Sequence, residues 1–188
     1  MPWRGSRTEL RSWFMLACAA GLSAIALPLH ADSIDISEVI TDLGSPIAET
    51  TLFIERLSDG QTWVSNSVRA EERLSPASTS KIPHTLIALE EGLAAPDTVF
   101  PWDGVPRTVR AWNQDHDLAS AFQASAVWVY QEIARAAGPE TMAKGLASFN
   151  YGNATVGTGD KLTTYWLDGT LKISAAEQVA FLKSLARE

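Results

Sequence analysis

Cysteine is scarce in this sequence. The single cysteine, Cys18, lies in an apolar stretch near the N-terminus. A disulfide needs two cysteines and a thiolate metal site needs several, so the rest of the chain depends on neither. Cationic residues are also few, with 15 Lys and Arg against 22 Asp and Glu. Because nucleic-acid binding relies on cations that neutralise phosphates, the net charge of −7 argues against that class of partner.

Residues 1–31 have the pattern of a secretory signal peptide. Three arginines precede residues 13–29, which are uncharged and mostly apolar. These 17 residues fall short of the roughly 20 that span a bilayer. Cleavage after Ala31 is therefore favoured over an uncleaved membrane anchor. Removing three arginines and one glutamate with this segment takes the net charge of the remaining chain from −7 to −9.

The remainder, residues 32–188, is long enough for one domain, and no repeat or low-complexity linker divides it. Residues 51–56 and 61–65 are β-prone, and Ser58-Asp59-Gly60 between them predicts a hairpin. Such a hairpin is marginal alone. Because no partner strands are evident in the sequence, the predicted sheet is incomplete.

The rest of the domain is predicted to be mostly helical. One helix follows Ser78, and others cover 117–138 and 139–149. A last helix begins at Ser174, where Ser174 and Glu177 have the spacing of a capping box. The first of these helices has an apolar periodicity formed by Ile82, Leu86, Leu89 and Leu93. Glu90-Glu91-Gly92 predicts the end of the helix.

Ser78 and Lys81 carry the first indication of chemistry. In a helical turn, residues i and i+3 lie on one face, so the two side chains can meet. A serine hydroxyl becomes a nucleophile when a base takes its proton, and a desolvated, neutral lysine can be that base. The pattern S-x-x-K alone is weak, because a serine N-cap with a solvated lysine is the commoner explanation. Two histidines, His84 and His116, lack the G-x-S-x-G context of a Ser-His-Asp hydrolase.

Two later motifs strengthen this indication: Ser125-Ala126-Val127 and Tyr151-Gly152-Asn153. Together with Ser78-Thr79-Ser80-Lys81, their order and spacing resemble the penicillin-recognising serine enzymes, and within these the class D β-lactamases, or oxacillinases. The resemblance extends over nearly all of residues 32–188. It includes Trp102-Asp103-Gly104, Ala111-Trp112-Asn113, Val129-Tyr130-Gln131-Glu132, and Tyr165-Trp166-Leu167-Asp168-Gly169 followed by Ile173-Ser174-Ala175.

The resemblance implies an α+β fold, in which a helical region packs on an antiparallel sheet, and an enzyme that hydrolyses β-lactams in the bacterial periplasm. Ser78 would be acylated, and its own N–H would be one of two oxyanion donors. Lys81 would carry a CO2-derived carbamate as the general base, and Ser125 would relay a proton to the leaving nitrogen. The expected partner is a small β-lactam, with no metal, no other cofactor, no nucleic acid and no stable membrane partner after signal cleavage.

The resemblance implies supporting roles for five further residues. The indole N–H of Trp166 would hold the carbamate, and Val127 would help to keep the lysine site dry. Tyr151, Gly152 and Asn153 match the third motif of the family and are expected to support the site rather than to act in catalysis. Trp102, Trp112 and His116 are predicted to have structural or surface roles only.

The sequence departs from the family pattern in two ways. Ser80 stands where the family often has Phe, which places a polar residue near the lysine pocket. The Lys-Thr-Gly strand motif of the family does not occur, so we expect a partial domain that lacks one oxyanion donor and is inactive as it stands. A penicillin sensor that is acylated without turnover and a D,D-peptidase share Ser78, Lys81 and Ser125, and both remain alternatives to a β-lactamase.

Overall fold

The computed structural model describes residues 33–187, and its sheet has three short strands. These are β1 (Ile34–Asp35), β2 (Phe53–Glu55) and β3 (Thr62–Val64), in the order β1-β3-β2. β2 and β3 pair antiparallel, with Ile54 opposite Trp63, whereas β1 pairs parallel with β3. The signal-peptide prediction for residues 1–31 lies outside the described residues.

The predicted hairpin is confirmed, although both strands are shorter than their β-prone segments. Its turn is closed by backbone hydrogen bonds between Arg56 and Gln61 and between Gly60 and Arg56. The parallel strand β1 is absent from the sequence-based prediction. It is only two residues long, so it contains no alternation of apolar and polar residues that could reveal it.

Six α-helices and three 3₁₀ turns are described in residues 33–187. The helices are α1 (Ser37–Asp42), α2 (Ser67–Glu71), α3 (Lys81–Glu90), α4 (Leu118–Gln123), α5 (Val127–Ser148) and α6 (Ala175–Leu185). The 3₁₀ turns are Ala77–Ser80, Arg110–Trp112 and Gly159–Thr163. None of the described helices is long and apolar enough to cross a membrane.

The predicted helix over 117–138 is broken, and this prediction is wrong in one detail that matters for the site. α4 ends in a Schellman motif, in which Ser125 N–H donates to Phe122 and Ala126 N–H donates to Ala121. Ser125 adopts the left-handed conformation (φ 53°), and the next helix begins at Val127. The apolar sequence around Ser125 conceals this break because it lacks the glycine that usually marks one.

The remaining helix boundaries agree with the sequence. Gly138 is non-helical (φ 76°, ψ 164°), so α5 consists of two segments that meet before Pro139, as predicted. α3 ends at Glu90, and α6 begins with the predicted capping box. In that box, Glu177 N–H donates to Ser174 Oγ at 3.1 Å, and Ser174 N–H donates to Glu177 Oε2 at 2.9 Å.

The core lies between α3 and α5. Ile82, Leu86 and Leu93 of the predicted apolar periodicity pack against it, partly buried, from α3 and the turn that follows. The buried residues of this helix are Lys81, Pro83, His84, Ile87 and Ala88, whereas Leu89 is exposed. The two helices are in close contact at Gly145, where a Cβ would lie 2.5 Å from Ile87 Cγ1. The face that carries Lys81 is therefore turned into the protein, which gives the lysine a buried environment.

Candidate active site

The 3₁₀ turn that precedes α3 brings Ser78 and Lys81 together. Lys81 Nζ donates to Ser78 Oγ at 3.1 Å. Ser78 is exposed, whereas Lys81 is only 2% exposed. Ala77, immediately before Ser78, has a left-handed conformation (φ 46°), an uncommon one for a residue other than glycine. The nucleophile candidate thus lies at the surface, with its candidate base buried beneath it.

Burial changes the chemistry of Lys81. Transfer of an ammonium out of water disfavours the charged form, and this desolvation lowers the pKa of Lys81 from 10.5 to about 8. Nζ lies 5.3 Å from the ring centroid of Tyr130, whose hydroxyl is within 2.9 Å of Thr85 Oγ1. Near neutral pH a larger share of this amine is neutral than of an exposed lysine, although most of it still carries its proton.

Ser125 reaches Ser78 because of the break between α4 and α5. Its left-handed conformation allows Ser125 Oγ to donate to Ser78 Oγ at 3.0 Å. The turn is held by Trp112, whose indole Nε1–H donates to the Ala124 carbonyl at 2.9 Å. Trp112, predicted to be structural, thus supports the residue that contacts the nucleophile.

Trp166 lies on a segment that runs beside the 3₁₀ turn containing Ser78. Leu74 and Ile173 form an antiparallel bridge, and the Trp166 carbonyl accepts hydrogen bonds from Ala77 N–H (3.0 Å) and Ser75 Oγ (2.7 Å). The Trp166 side chain is fully buried, and its Nε1–H has no hydrogen-bond partner. An unpartnered buried donor is costly, so this indole is suited to an acceptor supplied from outside the chain.

The third motif holds neighbouring segments together and does not contact Ser78. Asn153 Nδ2 donates to the Thr170 carbonyl at 2.9 Å, and its Oδ1 accepts from Lys172 N–H at 3.0 Å. Gly152 (φ 58°) is so close to the Lys172 segment that a Cβ would lie 2.0 Å from the Lys172 carbonyl oxygen. Tyr151 Oη donates to Gln178 Oε1 at 2.9 Å, and burial raises the pKa of Tyr151 to about 12.

Two further predicted residues lie beside the site without a polar contact to it. Val127 is the first residue of α5 and packs, half-buried, against the core. Ser80 is buried, and its Oγ donates to the Ala77 carbonyl at 2.7 Å. The hydroxyl that replaces the aromatic residue of the family therefore bonds within its own turn.

His84 and His116 are both buried, and His84 is a site neighbour that the sequence did not reveal. His84 Nε2 lies 2.8 Å from Tyr165 Oη, and its Nδ1 has no partner. Burial, with a smaller effect of Lys81, lowers the pKa of His84 to about 3, so the ring is neutral. The sequence feature that could have revealed this residue is its spacing of three from Lys81, which places both side chains on one face of the helix.

His116 was predicted to lie on a helix surface because it stands between Asp115 and Asp117. That prediction is wrong. His116 is 1% exposed, and its ring nitrogens lie 3.1 Å from Ser120 Oγ and from the Ala111 carbonyl. Within residues 33–187, no group of three His, Cys, Asp or Glu side chains could hold a metal ion.

Comparison with known proteins defines the family. Residues 43–188 match the family model for the penicillin binding protein transpeptidase domain. The solved structure of the class D β-lactamase YbXI from Nostoc superposes with a TM-score of 0.76 at 34% identity, covering 82% of this chain and 64% of that one. A class D β-lactamase from Sebaldella termitidis gives a TM-score of 0.74 at 34% identity, covering 82% of this chain and 61% of that one. The predicted α+β penicillin-binding fold is therefore confirmed.

Comparison with curated relatives identifies the family within this fold. Beta-lactamase OXA-3 of Pseudomonas aeruginosa is 47% identical over 132 residues, which cover 70% of this chain and 47% of that protein. Probable beta-lactamase YbxI of Bacillus subtilis is 33% identical over 187 residues, which cover 95% of this chain and 69% of the relative. The chain belongs to the class D β-lactamase family. It spans about half the length of the OXA-type relatives that it matches.

Proposed function

We propose that the protein to which this chain belongs hydrolyses β-lactam antibiotics through an acyl-enzyme on Ser78 and thereby confers resistance. One observation carries the proposal: the Oγ of Ser78, an exposed residue in the 3₁₀ turn before α3, lies 3.1 Å from Lys81 Nζ and 3.0 Å from Ser125 Oγ. The arrangement supplies a nucleophile, a buried base and a hydroxyl relay within hydrogen-bond reach of one another.

The reaction follows from these contacts. Ser78 Oγ attacks the β-lactam carbonyl carbon as its proton moves toward Lys81, and an Oγ–C bond forms. The lactam C–N bond then breaks as Ser125 passes its proton to the leaving nitrogen, and Ser125 is reprotonated by the proton that Lys81 took from Ser78. A water molecule attacks the resulting ester, its proton is taken up on the lysine side of the site, and a carboxylic acid leaves as Ser78 regains its hydroxyl.

The lysine pocket fits the CO2-derived carbamate that the family resemblance implies. Only a neutral amine combines with CO2, and burial lowers the pKa of Lys81 toward that form. The unpartnered Trp166 Nε1–H is a donor without acceptor capacity, which matches an anionic oxygen. When present, the carbamate supplies an anionic general base beside the Tyr130 ring, which lies 5.3 Å from Lys81 Nζ, and Val127 is proposed to help keep the site dry.

Acylation is tested by incubating the complete gene product with penicillin and mapping the adduct by peptide mass spectrometry. We expect the adduct on Ser78, no labelling in Ser78→Ala, and wild-type labelling in Ser148→Ala, which removes an exposed hydroxyl from the end of α5. An adduct on another residue would contradict the assignment. A Ser78 adduct that persists without turnover would favour the sensor alternative, and release of D-alanine from cell-wall peptides would favour the D,D-peptidase alternative.

We further propose that residues 1–31 direct export to the periplasm and are removed. The basic start and the apolar run that follows support this proposal. N-terminal sequencing of the protein from a periplasmic fraction should begin at Asp32. A protein that keeps Met1 and sediments with membranes would instead indicate an uncleaved anchor.

A further inference from the structure

His84 is a buried, polar and neutral side chain that the reaction above does not use. It lies three residues after Lys81 on α3, on the buried face of that helix. One ring nitrogen is 2.8 Å from Tyr165 Oη, and the other has no partner. A histidine that served only to fill space would be replaceable by an apolar residue at no cost in hydrogen bonds, so the Tyr165 contact requires an explanation.

Three buried rings contact one another around this hydrogen bond. The His84 ring meets the Trp166 ring edge-on, with centroids 5.0 Å apart, and lies 5.5 Å from the Tyr165 ring. Tyr165 in turn meets Trp166 edge-on at 5.0 Å. The indole is therefore packed against two rings that are hydrogen-bonded to each other.

The His84–Tyr165 bond also links α3 to the segment that carries Trp166. Just before α3, the backbone N–H of Ala77 and the hydroxyl of Ser75 both donate to the Trp166 carbonyl. Those bonds fix the main chain of Trp166 and leave the direction of its indole to side-chain packing. The His84–Tyr165 pair supplies that packing.

We propose that His84 is a positioning residue: through its hydrogen bond to Tyr165, it fixes the indole of Trp166 beside the lysine pocket. His84 itself contacts neither substrate nor the reacting atoms. The part of this inference that concerns Lys81 rests on the proposed function, because a correctly placed Trp166 N–H is what would hold a carbamate there. The placement of the indole is a separate claim and can be measured alone.

The experiment compares the complete gene product with Tyr165→Phe and His84→Phe, which both retain a ring and remove the hydrogen bond. The matched control is His116→Phe, which replaces the other buried histidine, a ring 5.8 Å from Trp128 with no link to Trp166. The first readout is solvent exchange of the Trp166 indole N–H in ¹⁵N-tryptophan protein, assigned by its absence in Trp166→Phe. The second is uptake of ¹³C-bicarbonate as a carbamate signal.

We expect indole exchange to be about five- to tenfold faster in Tyr165→Phe and His84→Phe, and the bicarbonate requirement to rise by a similar factor, as loss of one net hydrogen bond implies. The double variant should add little to either single change, because both remove the same bond. His116→Phe should lower thermal stability while leaving both readouts unchanged below its melting temperature.

Wild-type exchange in both ring-retaining variants would overturn the positioning role of His84, as would an equal change in His116→Phe. If the wild type takes up no bicarbonate but indole exchange still responds to His84→Phe and Tyr165→Phe, the carbamate part of the proposed function is wrong and the positioning role stands.

Discussion

Unpartnered polar groups cluster near the nucleophile. In residues 33–187, the buried side-chain nitrogens without a partner are His84 Nδ1, Trp166 Nε1 and Gln178 Nε2. The first two belong to side chains around the lysine pocket, and Gln178 accepts a hydrogen bond from Tyr151 of the third motif. Folding normally satisfies such groups, so each of these nitrogens is available to an acceptor that the described side chains do not supply.

At the scale of single residues, the sequence predicted the contact between Ser78 and Lys81 better than the packing of the residues around it. Ser78 and Lys81 were found because three-residue spacing places them on one face. His84 has the same spacing from Lys81, but a lone histidine has no pattern that distinguishes a buried ring from an exposed one. The role of Trp112 at Ala124 depends on two segments that are distant in sequence, so only the fold reveals it.

The neutral state of His84 predicts a component of acid sensitivity. Its pKa falls from the ordinary 6.5 to about 3, so between these values the unfolded chain binds a proton that the folded chain does not. This contribution to stability is fully present above pH 6.5 and is lost as the pH falls toward 3, by up to about 1.4 kcal/mol per pH unit.

In His84→Asn, the unfolding free energy of the complete gene product should therefore depend less steeply on pH between 6.5 and 4 than in the wild type. Urea titrations followed by circular dichroism at several pH values measure this slope, whatever the stability of the variant at neutral pH. Equal slopes for the two proteins would mean that His84 becomes protonated in the folded state.

A second prediction concerns Trp166. If its indole N–H holds a carbamate on Lys81, then Trp166→Phe should slow hydrolysis, and added bicarbonate should restore part of the rate. Deacylation should suffer more than acylation, because water is a weaker nucleophile than a positioned serine and depends more on the base. Stopped-flow measurement of the two steps checks this, and hydrolysis insensitive to bicarbonate in both proteins would exclude the carbamate.

At the scale of elements, local signals were sufficient for the hairpin, for the capping box of α6 and for the Gly138-Pro139 break. Each depends on residues within a few positions of one another. The end of α4 was missed because its left-handed residue is Ser125 rather than glycine, and a Schellman motif satisfies its backbone. The apolar periodicity of α3 identified Ile82 and Leu86 as core contacts but not the most buried residues of the helix, because packing against α5 also buries Lys81 and His84.

The turn at Gly152 allows a sharp test of close packing. Gly152 and Gly159 share φ 58°, but a Cβ at Gly152 would collide with the Lys172 carbonyl, whereas Gly159 has nothing within 4 Å. Gly159→Ala should cost about 1 kcal/mol from backbone conformation alone. Gly152→Ala should cost about 1–3 kcal/mol more from the clash.

Thermal unfolding of the two variants measures this difference, at roughly 2–4 °C per kcal/mol for a domain of this size. The Gly152→Ala variant should also lose acylation of Ser78 to a greater extent, since Asn153 and Lys172 join this turn to the Trp166 segment. Equal melting temperatures for the two variants would mean that the backbone moves to accommodate the new methyl group.

At the scale of the whole molecule, residues 33–187 contain six α-helices but only three short strands. The three strands contribute exposed apolar side chains on β1 and β2, including Ile34 and Ile54. A Lys183–Glu55 ion pair joins α6 to β2, and an Arg73–Glu177 pair joins α6 to the segment before Ser78. The OXA-type relatives are about twice as long as the aligned region.

The last prediction is that a polypeptide of residues 32–188, expressed alone, does not hydrolyse β-lactams. It contains Ser78, Lys81, Ser125 and Trp166, but not the Lys-Thr-Gly strand, which the family resemblance associates with the second oxyanion donor. Loss of one such donor typically lowers turnover by about 100- to 1000-fold.

The open sheet has a further effect, because unpaired strand edges and exposed apolar side chains favour aggregation. Because the total stability of a domain is only about 5–15 kcal/mol, we expect this polypeptide, with a sheet of three short strands, to lack a cooperative melt. Near-UV circular dichroism of the tryptophans and turnover of a chromogenic cephalosporin, both compared with the complete gene product, test the two parts. A cooperative melt together with comparable turnover would show that the described residues form a sufficient enzyme.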